Sequence, residues 1–222
     1  MSFHVVACEQ RTPPWFRSRA GVLTASDAAA MLSKPKKAGV EETAGRAELK
    51  LRLALEADGE PLDEDPYVSW DMKRGIEREA AAIDAYEAMT GEIVERVGFL
   101  RHDELPIGCS PDGLIGRGPT AYGLEVKCPK YTTHFDYLKK GTLPSEYTAQ
   151  VIHSLFVTGF GRWDFVSYCP EFKGDARLFV VHVLREDVAL DAYALAFHLF
   201  WKEVEQVKQT VRGLTAPELI CA

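Results

Sequence analysis

The chain has 222 residues, 46% hydrophobic and 27% charged, with a formal net charge of −7. That is enough for one sizeable domain of ordinary folded composition, and with no run of about 18 apolar residues no membrane span is expected. The negative balance argues against a general nucleic-acid coat protein, but a nucleic-acid enzyme stays open because a basic channel can lie inside an acidic exterior.

The chain shows no repeat and no low-complexity tract. In order, the first helix signal is Thr24 to Leu32, an alanine-rich stretch that Thr24 or Ser26 can cap. A basic loop, Ser33–Gly39, follows. Glu41 to Ala57 reads as a helix with Leu49, Leu53 and Leu55 as its apolar positions, and Asp58–Pro66 as an acidic loop. Ser69 to Thr90 is a second long helix, ended by Gly91. Ile93 to Leu100 alternates like a strand. Beyond a Gly/Pro-rich hairpin, helices are expected near Thr133–Lys140 and over Ser145–Thr158, strands over Trp163–Tyr168 and Leu178–Leu184, and a last helix over Asp187–Val211. This order predicts an α/β or α+β domain, with a central mixed sheet flanked by helices. We read residues 1–222 as a single domain.

The start, MSFHVVACEQR, has neither a basic n-region nor a long apolar h-region, so no secretory signal is expected. Five cysteines (Cys8, Cys109, Cys128, Cys169, Cys221) are scattered without zinc or iron–sulfur spacing. They read as reduced thiols in a cytoplasmic compartment, with Cys128 a buried one. The six histidines show no ligand spacing and read as structural or surface groups.

The hairpin segment SPDGLIGRGPTAYGLEVKCPK, Ser110 to Lys130, carries the chemistry. Asp112 stands at a turn before a strand. Glu125 and Lys127 are two apart, so on a strand they share one face while Leu124 and Val126 take the other. The hairpin can bring Asp112 beside Glu125. Two close carboxylates repel unless a cation lies between them, and carboxylate and carbonyl oxygens suit magnesium or manganese. Beside such a metal Lys127 is expected to have a lowered pKa and to orient or deprotonate a water. Alone, Glu-x-Lys is a common solvated strand face and Asp-Gly a common turn; their combination is the specific signal.

That combination resembles the PD-(D/E)xK nuclease superfamily, through Pro111-Asp112 and Glu125-Val126-Lys127. The wider pattern is similar to the lambda-exonuclease type of phage recombination nuclease. It rests on RSRAGVLTAS (Arg17–Ser26), GIERE (Gly75–Glu79), SPDG (Ser110–Gly113), LEVKCP (Leu124–Pro129) and YTAQV (Tyr147–Val151), and spans about Trp15 to Tyr168. The resemblance implies a restriction-endonuclease-like core and a Mg2+-dependent (Mn2+ possible) 5′→3′ exonuclease acting on double-stranded DNA ends. Asp112, Glu125, Lys127 and Gln150 would be catalytic. Asp112, Glu125 and the Val126 carbonyl would hold the metal, with Glu79 supporting it. Arg19, Ser26 and Ser110 would grip the 5′-terminal phosphate. A homotrimeric ring, its bore lined by Lys34, Lys36 and Lys37, and a single-strand annealing protein as partner are implied as well. A structure-specific endonuclease of the same superfamily and a non-catalytic DNA-end-binding module are the alternative readings.

One residue choice has support beyond the resemblance. At 100° per residue Glu79 falls within the arc of Ile76, Ile83 and Tyr86 while Glu77 does not, and the family pattern also selects Glu79. Arg19 offers a planar fork for phosphate, and it is the resemblance that selects it over Arg17, which reads as a surface charge; Ser26 is both a possible cap and a possible anion contact. By spacing alone Gln150 is an ordinary helix-surface amide.

Overall fold

Two mixed sheets organise the chain in the computed structural model, which describes residues 3–37, 39–62 and 70–214. The elements in order are β1 (Phe3–Val6), α1 (Pro13–Arg19), β2 (Leu23–Thr24), α2 (Ala28–Leu32), α3 (Ala44–Leu55), α4 (Trp70–Thr90), β3 (Val94–Glu95) and β4 (Phe99–His102). Then come β5 (Ile107–Cys109), β6 (Gly113–Ile115), β7 (Tyr122–Lys127), α5 (Tyr131–Lys140), α6 (Ser145–Thr158), β8 (Arg162–Tyr168), β9 (Leu178–Leu184) and α7 (Leu190–Gly213). One sheet has the order β1-β4-β5-β2, the other β3-β6-β7-β8-β9. In the second, only β7 and β8 run parallel, so α5 and α6 form the crossover between them.

The expected α/β core with helices around a mixed sheet is present, and a second sheet joins it. The stretch Ile93–Leu100, expected as one strand, is divided: β3 belongs to the five-stranded sheet and β4 to the four-stranded one. The chain crosses between them at Gly98, where a Cβ would lie 2.0 Å from the Cys8 carbonyl oxygen. A helix that was not expected, α1, precedes the one predicted from Thr24, and the predicted one starts only at Ala28. Asp27 accepts from the Thr24 N–H at 3.2 Å and from its hydroxyl at 2.7 Å, holding a 3-10 turn ahead of α2. Thr43 accepts from the Arg46 N–H and caps α3; Leu49 and Leu53 are buried there, but Leu55 is exposed. The acidic loop Asp58–Pro66 runs past Leu62 into residues outside the described ones, as do Ser69 and Cys221.

Strand β7 lies between two cores. Leu124 and Val126 pack with Ala82, Ile83 and Tyr86 of α4. The other core gathers Leu23, Leu53, Leu100, Ile107, Val151, Leu155, Trp163 and Phe197 from both sheets, α3, α6 and α7. The alternation predicted for Leu124–Lys127 therefore holds, with the apolar pair turned to α4 and Glu125 to α6. Among the described residues no helix is long and apolar enough to cross a membrane, and Cys8, Cys109, Cys128 and Cys169 are free thiols.

Candidate active site and phosphate pocket

Strand β7 is an interior strand, paired antiparallel to β6 and parallel to β8, so its side chains start from a fixed backbone. Glu125 is buried, and its Oε1 accepts from Lys127 Nζ at 2.5 Å and from Gln150 Nε2 at 2.6 Å. Gln150 thus leaves the ordinary helix surface that spacing alone assigned it and reaches from α6 into the site. Tyr147, one turn earlier on α6, stacks on Phe165 with ring centroids 5.1 Å apart and lies under Lys127 Nζ at 5.2 Å.

Asp112 precedes β6 and is tied to β7 on both sides. Its N–H donates to the Leu124 carbonyl at 3.0 Å, and its Oδ2 accepts from the Val126 N–H at 2.6 Å. Burial and the adjacent Glu125 charge push the Asp112 carboxyl up to about 8. For Lys127, burial works downward, but the charges of Glu125 and Asp112 and the Glu125 hydrogen bond outweigh it, and the ammonium sits above its usual value. The lowered pKa expected for this lysine is therefore opposed by the protein's own carboxylates.

Glu79 is half-buried on α4 while Glu77 is exposed, as the helical arc predicted. Its oxygens, however, are held by two arginines: Arg96 Nη1 at 2.5 Å from Oε1 and Arg11 Nη2 at 3.5 Å from Oε2. Among the described residues no three His, Cys, Asp or Glu side chains close into one ligand cluster. Asp112, Glu125 and the Val126 carbonyl are nevertheless hard oxygen donors on one stretch of backbone. The charge that raises Asp112 is the kind a divalent cation relieves. The donor set fits such an ion, with Glu79 having to leave its arginines to join.

The anion-binding candidates also come together. Arg19 Nη1 donates to Ser110 Oγ at 3.3 Å, and its Nη2 to Ser26 Oγ and Thr24 Oγ1, both at 3.4 Å. Burial brings the guanidinium down to about 10, still charged at neutral pH. Ser110 is two residues before Asp112, so SPD joins this pocket to the carboxylate pair. Arg17 is exposed, as expected of a surface charge, and so are Lys34, Lys36 and Lys37.

Sequence reasoning missed Trp15. Its Nε1–H donates to Ser110 Oγ at 2.8 Å, and Arg19 lies over its ring at 4.1 Å. A signal existed: Pro13-Pro14 is a helix start, and Trp15 and Arg19 are one turn apart behind it. Gln10, Arg11 and Arg96 were missed too. Arg11 and Arg96 lie 68 and 17 residues from the carboxylate they share, so no local spacing announces them.

A family model for the YqaJ-like viral recombinase domain matches residues 14–161. The fold is similar to that of an alkaline exonuclease from Laribacter hongkongensis, LHK-Exo, at 30% identity and TM-score 0.76, covering 90% of this chain and 96% of that one. The complex of LHK-Exo with dAMP matches with the same coverage at TM-score 0.77. A phage-related exonuclease from Haemophilus somnus shares the fold at 14% identity and TM-score 0.60, over 86% of this chain and 96% of its own. No curated protein sequence matches significantly.

Proposed function

The chain belongs to the YqaJ-like viral recombinase family, and from that premise we propose that it is a magnesium-dependent 5′→3′ exonuclease of linear double-stranded DNA. Family membership and the likeness to an alkaline exonuclease support a DNA exonuclease in general. One observation carries the finer reading. Ser110 completes a pocket of Arg19 and Ser26, and two residues later Asp112 is bonded to Val126 of the strand that carries Glu125 and Lys127, with Gln150 on Glu125. An anion pocket fused to a carboxylate pair is what cleavage measured from a terminal phosphate requires.

Asp112, Glu125 and the Val126 carbonyl would hold a divalent cation, with Glu79 as a further ligand. Such a cation supplies charge stabilisation at the phosphoryl oxygens and lowers the pKa of bound water. The chain's residues do the rest. The Gln150 amide fixes the Glu125 carboxylate. Lys127 Nζ, held between Glu125 and the Tyr147 face, orients the attacking water; to take its proton instead, it would need a bound cation to offset the carboxylates that keep it an ammonium. Arg19, Ser26 and Ser110 bind the 5′-phosphate and set polarity, with Trp15 stiffening both Arg19 and Ser110. The products would be mononucleotides and a 3′ single-stranded tail, suited to recombination by strand annealing.

The test uses linear duplexes labelled at either end and incubated with Mg2+. Wild type should release label from the 5′-phosphorylated strand, and Glu125→Ala and Lys127→Ala should not. Undiminished digestion by both variants would overturn the assignment. Cutting of closed circular DNA would turn the reading to a structure-specific endonuclease, and end binding without hydrolysis to a non-catalytic module. The homotrimeric ring is proposed with the same activity, and a light-scattering mass checks it; a single-strand annealing protein would be the partner that takes up the tail.

A further inference from the structure

Arg11, Glu79 and Arg96 line a cavity of about 430 Å3 together with Cys8, Gln10 and Gly98. The two guanidinium groups converge on one carboxylate. The arginine side chains are 47% and 51% exposed, and Glu79 only 16%. Each arginine makes a single contact with Glu79, which leaves further N–H donors of each fork directed elsewhere.

The arrangement is held in place rather than loosely paired. Arg11 is the one non-glycine residue in the left-handed backbone region among the described residues, at φ 66°. Its turn is fixed from both sides. Gln10 Nε2 donates to the Val97 carbonyl at 3.0 Å and to the Pro111 carbonyl at 2.9 Å, and Thr12 Oγ1 donates to the Glu9 carbonyl at 2.6 Å. Pro111 is the residue before Asp112, so the Gln10 hydrogen bond to its carbonyl anchors the Arg11 turn on the segment that carries the carboxylate. The arginine pair therefore stands beside the carboxylates, apart from the Arg19 pocket. A strained, anchored arginine that faces solvent calls for a ligand other than an exposed ion pair, since such a pair adds little stability.

We propose that Arg11 and Arg96 form a second anion clamp, which takes a phosphodiester of the DNA strand. Glu79 is its resident occupant: a carboxylate offers the fork the same oxygen geometry as a phosphate. DNA displaces it, and the freed Glu79 carboxylate can turn toward Asp112 and Glu125. This rests on the reading of Glu79 as a metal ligand and adds to it the reason why it is held away.

The test measures binding of a fluorescent 5′-phosphorylated duplex in EDTA, across a range of salt, with the full chain. Binding in EDTA is read without hydrolysis, so loss of the proposed nuclease activity and loss of the clamp show separately. Arg11→Ala/Arg96→Ala should weaken binding and flatten the slope of log K against log salt by about 0.9, the equivalent of the one phosphate contact the pair makes. Glu79→Gln should act in the opposite direction and tighten binding several-fold, because it removes the competing charge. Arg11→Lys/Arg96→Lys keeps the charges and should retain the salt slope while losing affinity. A double alanine variant with unchanged slope would overturn the clamp, and Glu79→Gln with unchanged or weaker binding would overturn Glu79 as its occupant.

Discussion

The side-chain amide of Gln150 donates to Glu125 Oε1 at 2.6 Å, joining a crossover helix to a central strand across 25 residues of sequence. Lys127 meets the same oxygen from the other side. Glu125 therefore has its orientation set by two donors before any cation is bound. Gln150→Ala leaves Lys127 as its one side-chain donor. By analogy with groups that orient metal ligands, the loss should be about 10–100-fold in kcat, with more Mg2+ needed for the half-maximal rate. Gln150→Glu should lose more, because it sets a third carboxylate against Glu125 and Asp112. Steady-state rates over a Mg2+ titration check both; wild-type rates in Gln150→Ala would separate this residue from the site.

Trp15 touches the proposed phosphate pocket through two contacts of different kinds, the N–H to Ser110 and the ring under Arg19. Trp15→Phe keeps the second and removes the first. Arg19→Ala removes the charged fork itself. Hydrogen bonds to charged groups contribute about 1.5–3 kcal/mol, so Arg19→Ala should lower the preference for 5′-phosphorylated over 5′-hydroxyl ends by about 10–100-fold. Trp15→Phe should lower it less. Competition between the two end types in one reaction measures the preference directly, and an unchanged ratio in Arg19→Ala would remove its anchoring role.

His153 gives a pH dependence away from the carboxylates. Its Nε2–H donates to the Gly108 carbonyl at 3.1 Å, so its Nδ1 accepts from the Tyr193 hydroxyl at 2.6 Å and the ring is neutral. Burial brings its pKa down to about 4. The unfolded chain then binds the proton more readily than the folded one between about pH 6.5 and 4, so stability is retained above this window and lost as pH falls through it. At pH 5 the loss should be about 2 kcal/mol relative to pH 7. His153→Gln should remove that part of the acid dependence, as read from urea midpoints at the two pH values; equal pH sensitivity in both proteins would exclude His153 as the cause.

Strand alternation and helical arcs made much of this architecture legible. They placed Glu125 and Lys127 on one face, put Glu79 rather than Glu77 inside, and matched the bounds of α6 and β9. What they could not give was long-range partnership. The division of Ile93–Leu100 between two sheets depends on Cys8 approaching Gly98, about 90 residues away in the chain. The arginines on Glu79 come from 68 and 17 residues away, and a charged residue's partner is set by the fold rather than by its neighbours. The pairing of Ser110 with Arg19 was reached only through the family resemblance, because a serine before Pro-Asp reads locally as a turn residue.

Gly123 links packing to the site and supplies a sharper test of the strand. It lies on β7 two residues before Glu125 and pairs with Trp163 of β8. A Cβ there would lie 2.3 Å from the Trp163 ring, which is fully buried and has no room to yield. Gly123→Ala should therefore cost about 1–3 kcal/mol by overpacking. The obstacle is the six-membered part of the indole, and the Trp163 Nε1–H has no hydrogen-bond partner to lose. Trp163→Phe should then be destabilising by itself through the cavity it leaves, yet make room for the alanine methyl. The double variant Gly123→Ala/Trp163→Phe should be more stable than the sum of the two single losses, by about 0.5–3 kcal/mol of coupling. Urea unfolding of the four proteins in this cycle measures it. Additive losses would show that the methyl is resisted by the backbone of β7 rather than by Trp163, and the route from this glycine to Glu125 would then run along the strand itself.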